Sequence, residues 1–187
     1  VEDQIRRIRR TLDSTPITAW LDEHRAGNRI YFGRYNGKTK VPGRRNNHWK
    51  LNELIDHLRD IDSTHKQVKD DPNLRDFFPR NGGAELISRW DMQDYPPDIL
   101  ITNYSMLNIM LLRNVENNIF DSTKRWLAKD RRNKFLVILD ELHLYRGTTG
   151  TEISLLLKNL ILRLGLTDHM DQVRVIASSA SIENDQQ

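Results

Sequence analysis

Phe135-Leu-Val-Ile-Leu-Asp-Glu-Leu-His143 is a continuous apolar run that ends on two adjacent carboxylates. A short, branched-rich run of this kind reads as a strand covered on both faces, the usual condition of a strand in a parallel sheet. Two other runs share the pattern, Asp98-Ile-Leu-Ile-Thr102 and Val173-Arg-Val-Ile-Ala177. Helical patterns alternate with them. Ser105–Leu112 is apolar and helical, a second helix is expected near Phe120–Asp130, and Ile153, Leu156, Leu157, Leu160, Ile161 and Leu164 form a long stripe that Gly165 stops. Thr149-Gly-Thr-Glu152, ahead of that stripe, fits a capping box. Strands alternating with helices imply right-handed crossovers and a parallel sheet, so the fold class is α/β.

Toward the N-terminus, Ile5, Ile8 and Leu12 recur at helical spacing with Arg6, Arg7, Arg9 and Arg10 between them, which predicts a helix with a basic outer face. Pro16 opens a second short helix through Leu21, and Arg29-Ile-Tyr-Phe-Gly33 reads as a strand closed by its glycine. Gly33–Gly43 reads as a loop. Residues 44–97 are more polar and are expected to form an insertion of helices and loops outside the sheet, with helices around Leu51–Leu58 and Ala84–Trp90. Trp20, Trp49, Trp90 and Trp126 are expected to pack in the core or the insertion.

The chain has 187 residues, 37% hydrophobic and 29% charged, an ordinary balance for a globular domain with a real core. It has no cysteine, which excludes disulfides and thiolate metal sites, and its six histidines show no ligand-like pairing. No apolar run is long enough to cross a bilayer. The opening Val1-Glu-Asp-Gln4 has neither a signal nor a transit pattern. A cytoplasmic protein without membrane contact is expected, and the opening reads as the interior of something longer. The net charge of +3 conceals an asymmetry: residues 1–50 hold 12 Lys/Arg against 5 Asp/Glu, and the remainder hold 17 against 21. This gradient suits either a surface facing a polyanion or a solvated helix face followed by a basic loop.

Ligands of open parallel sheets bind beyond the carboxyl ends of the strands, where Asp140 and Glu141 lie. Two carboxylates there can divide the work of phosphoryl transfer, one orienting Mg²⁺ on the phosphates and the other polarising the attacking water. The run through Asp140-Glu-Leu-His143 resembles the Walker B motif of DExH-type superfamily 2 helicases. That resemblance implies ATP and Mg²⁺ as cofactors. Asp140 would hold Mg²⁺ through water, Glu141 would be the general base, and His143 would relay nucleotide state. Ser178-Ser-Ala-Ser181 resembles motif III of the same helicases, which implies a coupling role for Ser179, Ala180 and Ser181, with Ser181 keeping the hydroxyl of the usual Thr.

Pro97–Leu107 resembles the segment of these helicases that ends a strand with Thr-Asn. By that resemblance Thr102 and Asn103 would donate hydrogen bonds to nucleic-acid phosphates, a contact that reads no sequence; as bare residues they also suit a helix N-cap. Val1-Glu-Asp-Gln4 resembles the tail of motif Ia, and Tyr31–Thr39 the strand and loop after it, which adds Gln4 and Arg34 to the nucleic-acid side. Gly37-Lys38-Thr39 imitates a phosphate-binding loop, but the full pattern needs a glycine where Phe32 stands. Gly83–Gln93 leading into Pro-Pro-Asp-Ile-Leu-Ile-Thr-Asn-Tyr104, together with Tyr145-Arg-Gly147, resembles large bacterial helicases of the type found in phage-defence systems. Tyr104 is read as a buried aromatic beside the strand.

The resemblance implies a partial RecA-like (P-loop NTPase) domain over 1–187, with residues 44–97 inserted in it. Expected partners are nucleic acid (DNA in preference to RNA) and the rest of the helicase, namely the P-loop segment before Val1 and the second RecA-like domain after Gln187. Without them, the chain by itself is expected to be a poor ATP binder and unable to unwind a duplex. Two classes of function stay open: a piece of an ATP-driven nucleic-acid translocase, or a non-catalytic RecA-like remnant that binds nucleic acid or a partner protein. An unrelated Mg²⁺-dependent phosphohydrolase would need more carboxylates at strand ends, and Asp98 begins its strand.

Overall fold

Ile5, Ile8 and Leu12 do share one side of a helix, α1 (Glu2–Leu12), and press it against Phe32, Ala84 and Ile101. These contacts belong to the first of two compact units, Val1–Asn103 and Tyr104–Gln187, in a computed structural model that describes residues 2–43, 48–71 and 74–179. After α2 (Thr15–His24) the first unit holds three parallel strands in the order β2-β1-β3, where β1 is Phe32–Tyr35, β2 is Glu85–Leu86 and β3 is Ile99–Thr102. Among the described residues it also holds helices α3 (His48–Val68) and α4 (Arg89–Asp94) and a 3-10 turn at Arg75–Phe77.

The first-unit sheet begins three residues later than the pattern Arg29–Gly33 suggests. Its strand is anchored by Phe32 and Tyr35, both fully buried, and Gly33 lies inside it rather than closing it. A Cβ at Gly33 would sit 2.3 Å from the Met92 sulfur, so any side chain there would have to displace the Met92 side chain of α4. Residues 44–97 are largely helical as expected, but Glu85–Leu86 corrects the expectation that the whole segment stays outside the sheet: it pairs with Phe32–Gly33. Two residues gave too short a run for an alternation signal. The helix expected around Ala84–Trp90 starts instead at Arg89, because Ser88 and Asp91 form a reciprocal capping box there. Trp90 joins Val41 and Leu54 in a second apolar cluster and donates its indole N–H to the Gly43 carbonyl at 2.9 Å.

The basic face of α1 is not uniform. Arg9 is buried and points inward, where its Nε donates to Glu85 at 2.9 Å, a second nitrogen meets the same carboxylate, and a third donates to the Asp76 carbonyl at 2.7 Å. Glu85 is equally buried and also faces Arg34 Nε at 3.3 Å. Trp20, Trp49 and Trp126 are exposed, Trp49 by 79%, which corrects the expectation of core packing; Trp20 stacks on His24 on the outward side of α2.

The second unit contains α5 (Tyr104–Leu112), α6 (Asn117–Lys129), β4 (Phe135–Leu139), α7 (Gly147–Arg163) and β5 (Val173–Ala177). β4 and β5 pair in parallel with Phe135 opposite Val173 and Leu139 opposite Ala177. Ile153, Leu156 and Leu160 bury one face of α7, and Gly165 ends it in the left-handed conformation. The capping box expected at Thr149 is absent: the N-cap of α7 lies three residues earlier, at Arg146, and the Thr151 and Ser154 hydroxyls turn back onto carbonyls one turn upstream. Buried Gln172 ties the end of α6 to the strand that follows, its amide nitrogen donating to the carbonyls of Leu127, Asp130 and Asn133. Arg132 folds onto Asp130, and these hydrogen bonds hold the Asp130 carboxyl down to about 2.

Both strands were expected to be covered on each face. Leu136 and Ile138 on β4 are instead 48% and 64% exposed, and Val175 and Ile176 on β5 are exposed as well. On β4 the exposed side chains alternate, whereas on β5 Arg174 to Ala177 are all exposed, so a sheet of two strands is left largely uncovered among the described residues. No described helix is long and apolar enough to cross a membrane.

Removing one member of the buried Arg9–Glu85 pair strands the other's charge. Glu85→Gln is expected to destabilise the first unit by about 3–5 kcal/mol in urea unfolding, with the double variant Arg9→Met/Glu85→Leu much closer to the parent. A loss below about 1 kcal/mol in the single variant would show that the pair carries little of the fold.

Candidate functional site

The register of β4 and β5 sets the site in the second unit. Because Leu139 lies opposite Ala177, the next residues, Asp140 and Ser178, leave their strands side by side. Ser178 then connects the two chain segments four times. Its N–H donates to the Leu139 carbonyl at 2.9 Å and its carbonyl accepts from the Leu142 amide at 2.8 Å. Its hydroxyl donates to Asp140 Oδ1 at 2.5 Å and accepts from the Glu141 amide at 3.3 Å. At the next residue, Ser179 Oγ lies 3.5 Å from His143 Nδ1, and that nitrogen lies 3.4 Å from Glu141 Oε2.

Glu141 sits at φ 56°, ψ 46°, in the left-handed region that a side chain with a Cβ rarely occupies. The backbone turns there from strand into the short 3-10 helix Leu142–Leu144, holding the Asp140 and Glu141 carboxylates in solvent while His143 is half-buried. Strain of this kind persists only when surrounding bonds impose it, and the Ser178 contacts on either side of Glu141 do so. The arrangement presents an exposed carboxylate pair beyond the carboxyl ends of two parallel strands, with an imidazole beside the second carboxylate.

Sequence reasoning named Asp140, Glu141, His143 and Ser179, and all four come together here. Ala180 and Ser181 lie outside the described residues. Ser178 was missed as a site residue although it makes most of the connections. The signal was present: Phe135 to Val173 and Asp140 to Ser178 share one sequence offset, which parallel pairing converts into adjacency.

In the first unit, the carboxyl ends of β1 and β3 place Arg34, Tyr35 and Thr102 at one edge. The Thr102 hydroxyl donates to the Tyr35 carbonyl at 2.7 Å and so clasps the two strand ends together. Arg34 is half-buried between Glu2, at 2.8 Å, and Glu85. Gln4 and Asn103 are exposed. Tyr104, expected to be buried, is 48% exposed.

The loop that imitates a P-loop closes on itself. The Thr39 hydroxyl donates to the Arg34 carbonyl at 2.6 Å and accepts from the Asn36 amide, while the Asn36 side chain accepts from the Lys38 amide. These amides satisfy an Asx-type turn instead of forming an open phosphate cradle.

Compared with known proteins, the chain is 33% identical to the Druantia protein DruE of Escherichia coli over 224 aligned residues that take in 97% of the chain. It is 29% identical over 103 residues, 55% of the chain, to an uncharacterised ATP-dependent helicase of Methanocaldococcus jannaschii. It spans 12% and 14% of the lengths of these relatives. No protein-family profile and no solved structure matches it. The two homologies bear out the helicase resemblance read from the motifs, including its likeness to phage-defence helicases.

Substituting the strained residue separates its structural from its chemical role. Glu141→Gly is expected to stabilise the second unit by roughly 1 kcal/mol in chemical denaturation, since glycine carries no left-handed penalty. Destabilisation instead would mean that the Glu141 side chain, and not the backbone geometry, supports this turn.

Proposed function

We propose that this helicase-related chain contributes the hydrolytic half of an ATP site in a nucleic-acid translocase. On this reading it is part of a first RecA-like domain, and the P-loop and the second RecA-like domain come from elsewhere in the protein. The observation that carries the proposal is the bonding of Ser178 and Ser179 to Asp140, Glu141 and His143, which joins the DExH-like motif to the motif III-like segment. The homology to helicases supports the same reading.

The donor set suits Mg²⁺. No cluster of three or more His, Asp or Glu side chains gathers among the described residues. Magnesium bound with a nucleotide typically takes one or two carboxylates and completes its shell with water and phosphate oxygens. Asp140 would hold it through water, and when bound it would neutralise charge developing on the β- and γ-phosphates. The Ser178 hydroxyl keeps Asp140 oriented by donating to its Oδ1. Glu141, one residue on and beside His143, would accept the proton of the attacking water. His143, between Glu141 and Ser179, would report the state of the site to the segment that follows β5.

Thr102, Asn103, Gln4 and Arg34 would face the nucleic-acid backbone. In this reading Thr102 and Arg34, bonded to Tyr35 and to Glu2, shape the edge, and the exposed side chains of Gln4 and Asn103 offer amides to phosphates. DNA is the preferred substrate in this proposal, phage defence its setting and the cytoplasm its location.

Steady-state ATP hydrolysis tests it. In a longer protein that includes this chain and a P-loop, Glu141→Gln is expected to lower kcat by about 100-fold or more with little change in KM. The 187-residue chain is expected to show no turnover above the same variant. Undiminished hydrolysis in Glu141→Gln would remove the general-base assignment, and Glu141-dependent turnover by the chain alone would remove the need for an external P-loop.

A further inference from the structure

The first unit contains a cleft of about 550 Å³ that none of the motifs uses, bounded by the C-terminal halves of α1 and α3 and the chain from Arg75 to Arg80. Its lining carries Arg9, Arg10, Lys69, Arg75 and Arg80 against the carboxylates of Asp13 and Asp76. Arg9 is committed to Glu85, and Arg80 to Asp13 at 3.1 Å. The other cations are not used up. Arg10 and Arg75 share the single carboxylate of Asp76 at 3.8 and 3.6 Å, beyond good hydrogen-bond distance, and Lys69 has no ion-pair partner among the described residues. His65 also lines the cleft, and its buried Nδ1 has no hydrogen-bond partner among the described residues. Cations left only partly matched around a cleft call for an acceptor from outside.

Exposed aromatic rings accompany the positive charge. Phe78 lines the cleft and is 39% exposed, and the neighbouring Phe77 carries the Arg6 guanidinium over its ring at 4.3 Å. Cations that follow a phosphate chain, with exposed rings for bases, are the physical requirements of single-strand binding.

We propose that this cleft is an accessory binding site for single-stranded nucleic acid. Arg10, Lys69 and Arg75 hold backbone phosphates, and Phe78 stacks on a base. The choice of a polynucleotide over other phosphate-bearing ligands rests on the translocase reading above; the cleft as an anion site does not.

Fluorescence anisotropy of a labelled oligo(dT), without ATP, tests the site on the whole chain. The triple variant Arg10→Gln/Lys69→Gln/Arg75→Gln is compared with Arg7→Gln/Arg59→Gln/Lys66→Gln, which removes the same charge from exposed positions on α1 and α3 outside the cleft. The cleft triple is expected to weaken binding at least about tenfold more than the control and to flatten the salt dependence by about 2 units of slope. Equal losses in the two triples would overturn the proposal, leaving only diffuse charge attraction.

Phe78→Ala gives a second readout that preserves charge. It is expected to weaken oligo(dT) by about tenfold and to leave inorganic polyphosphate, which has no bases, unaffected. Polyphosphate binding as tightly as oligo(dT), with Phe78→Ala changing neither, would overturn the nucleic-acid assignment in favour of a general phosphate site. A chain that binds no oligo(dT) at all would overturn this inference and the nucleic-acid part of the translocase reading together, whereas binding that survives the cleft triple overturns this inference alone.

Discussion

Parallel pairing of Phe135–Leu139 with Val173–Ala177 is the constraint on which the candidate chemistry depends. Ladder bonds fix which residues leave the two strands together, and that choice delivers the Ser178 hydroxyl to Asp140 and its carbonyl to the Leu142 amide. With both ends held, the chain between them must reverse within one residue, and Glu141 takes up the turn in a left-handed conformation. A shift of the pairing by one residue would send every alternate side chain to the opposite face and separate Ser178 from Asp140. The two motifs behave as one physical object because a sheet register joins them.

The first unit is organised by a different kind of bond. Arg9 on α1, Glu85 on β2 and Arg34 on β1 meet in a buried charge network, so the helix and two of the three strands share one carboxylate. Ion pairs of this kind add little net stability over apolar packing, yet they tolerate few alternatives, because any misplacement leaves a buried charge unpaired. Their effect here is positional. Arg34 is drawn between Glu2 and Glu85, and the Thr102 hydroxyl secures the ends of β1 and β3, which gives the sheet edge a defined shape. Beside this satisfied network lies a cleft whose cations are only partly matched, and the contrast marks it as a place for an outside anion.

Where sequence reading went astray, local pattern met non-local packing. The strand at Glu85–Leu86 is two residues long and exists because β1 offers it a ladder, so no alternation could announce it. Gly33 looked like a strand terminator and proved to be a strand interior residue making room for Met92. Arg9 looked like its neighbours Arg6, Arg7 and Arg10 and was the one turned inward, since helical phase places it on the side of Ile5 and Leu12. Thr149 to Glu152 had the letters of a capping box, but the helix had already begun at Gly147. Trp20, Trp49 and Trp126 were expected to pack in the core or the insertion and are exposed.

By itself the sequence determined the α/β class, the strands at 99–102, 135–139 and 173–177, the helices between them, and the carboxylate pair at a strand end. Each of these follows from hydrophobic period and chain-local chemistry, which a linear string records in full. Tertiary structure decided what meets across distance: that Ser178 and not only Ser179 binds the DExH-like turn, that Glu141 is held in a strained backbone, and that Arg9 finds a carboxylate 76 residues away. Spacing along a chain constrains such meetings without specifying them. A contact between remote residues depends on the register, helix phase and burial of every element that carries them, and those are settled only when the elements pack.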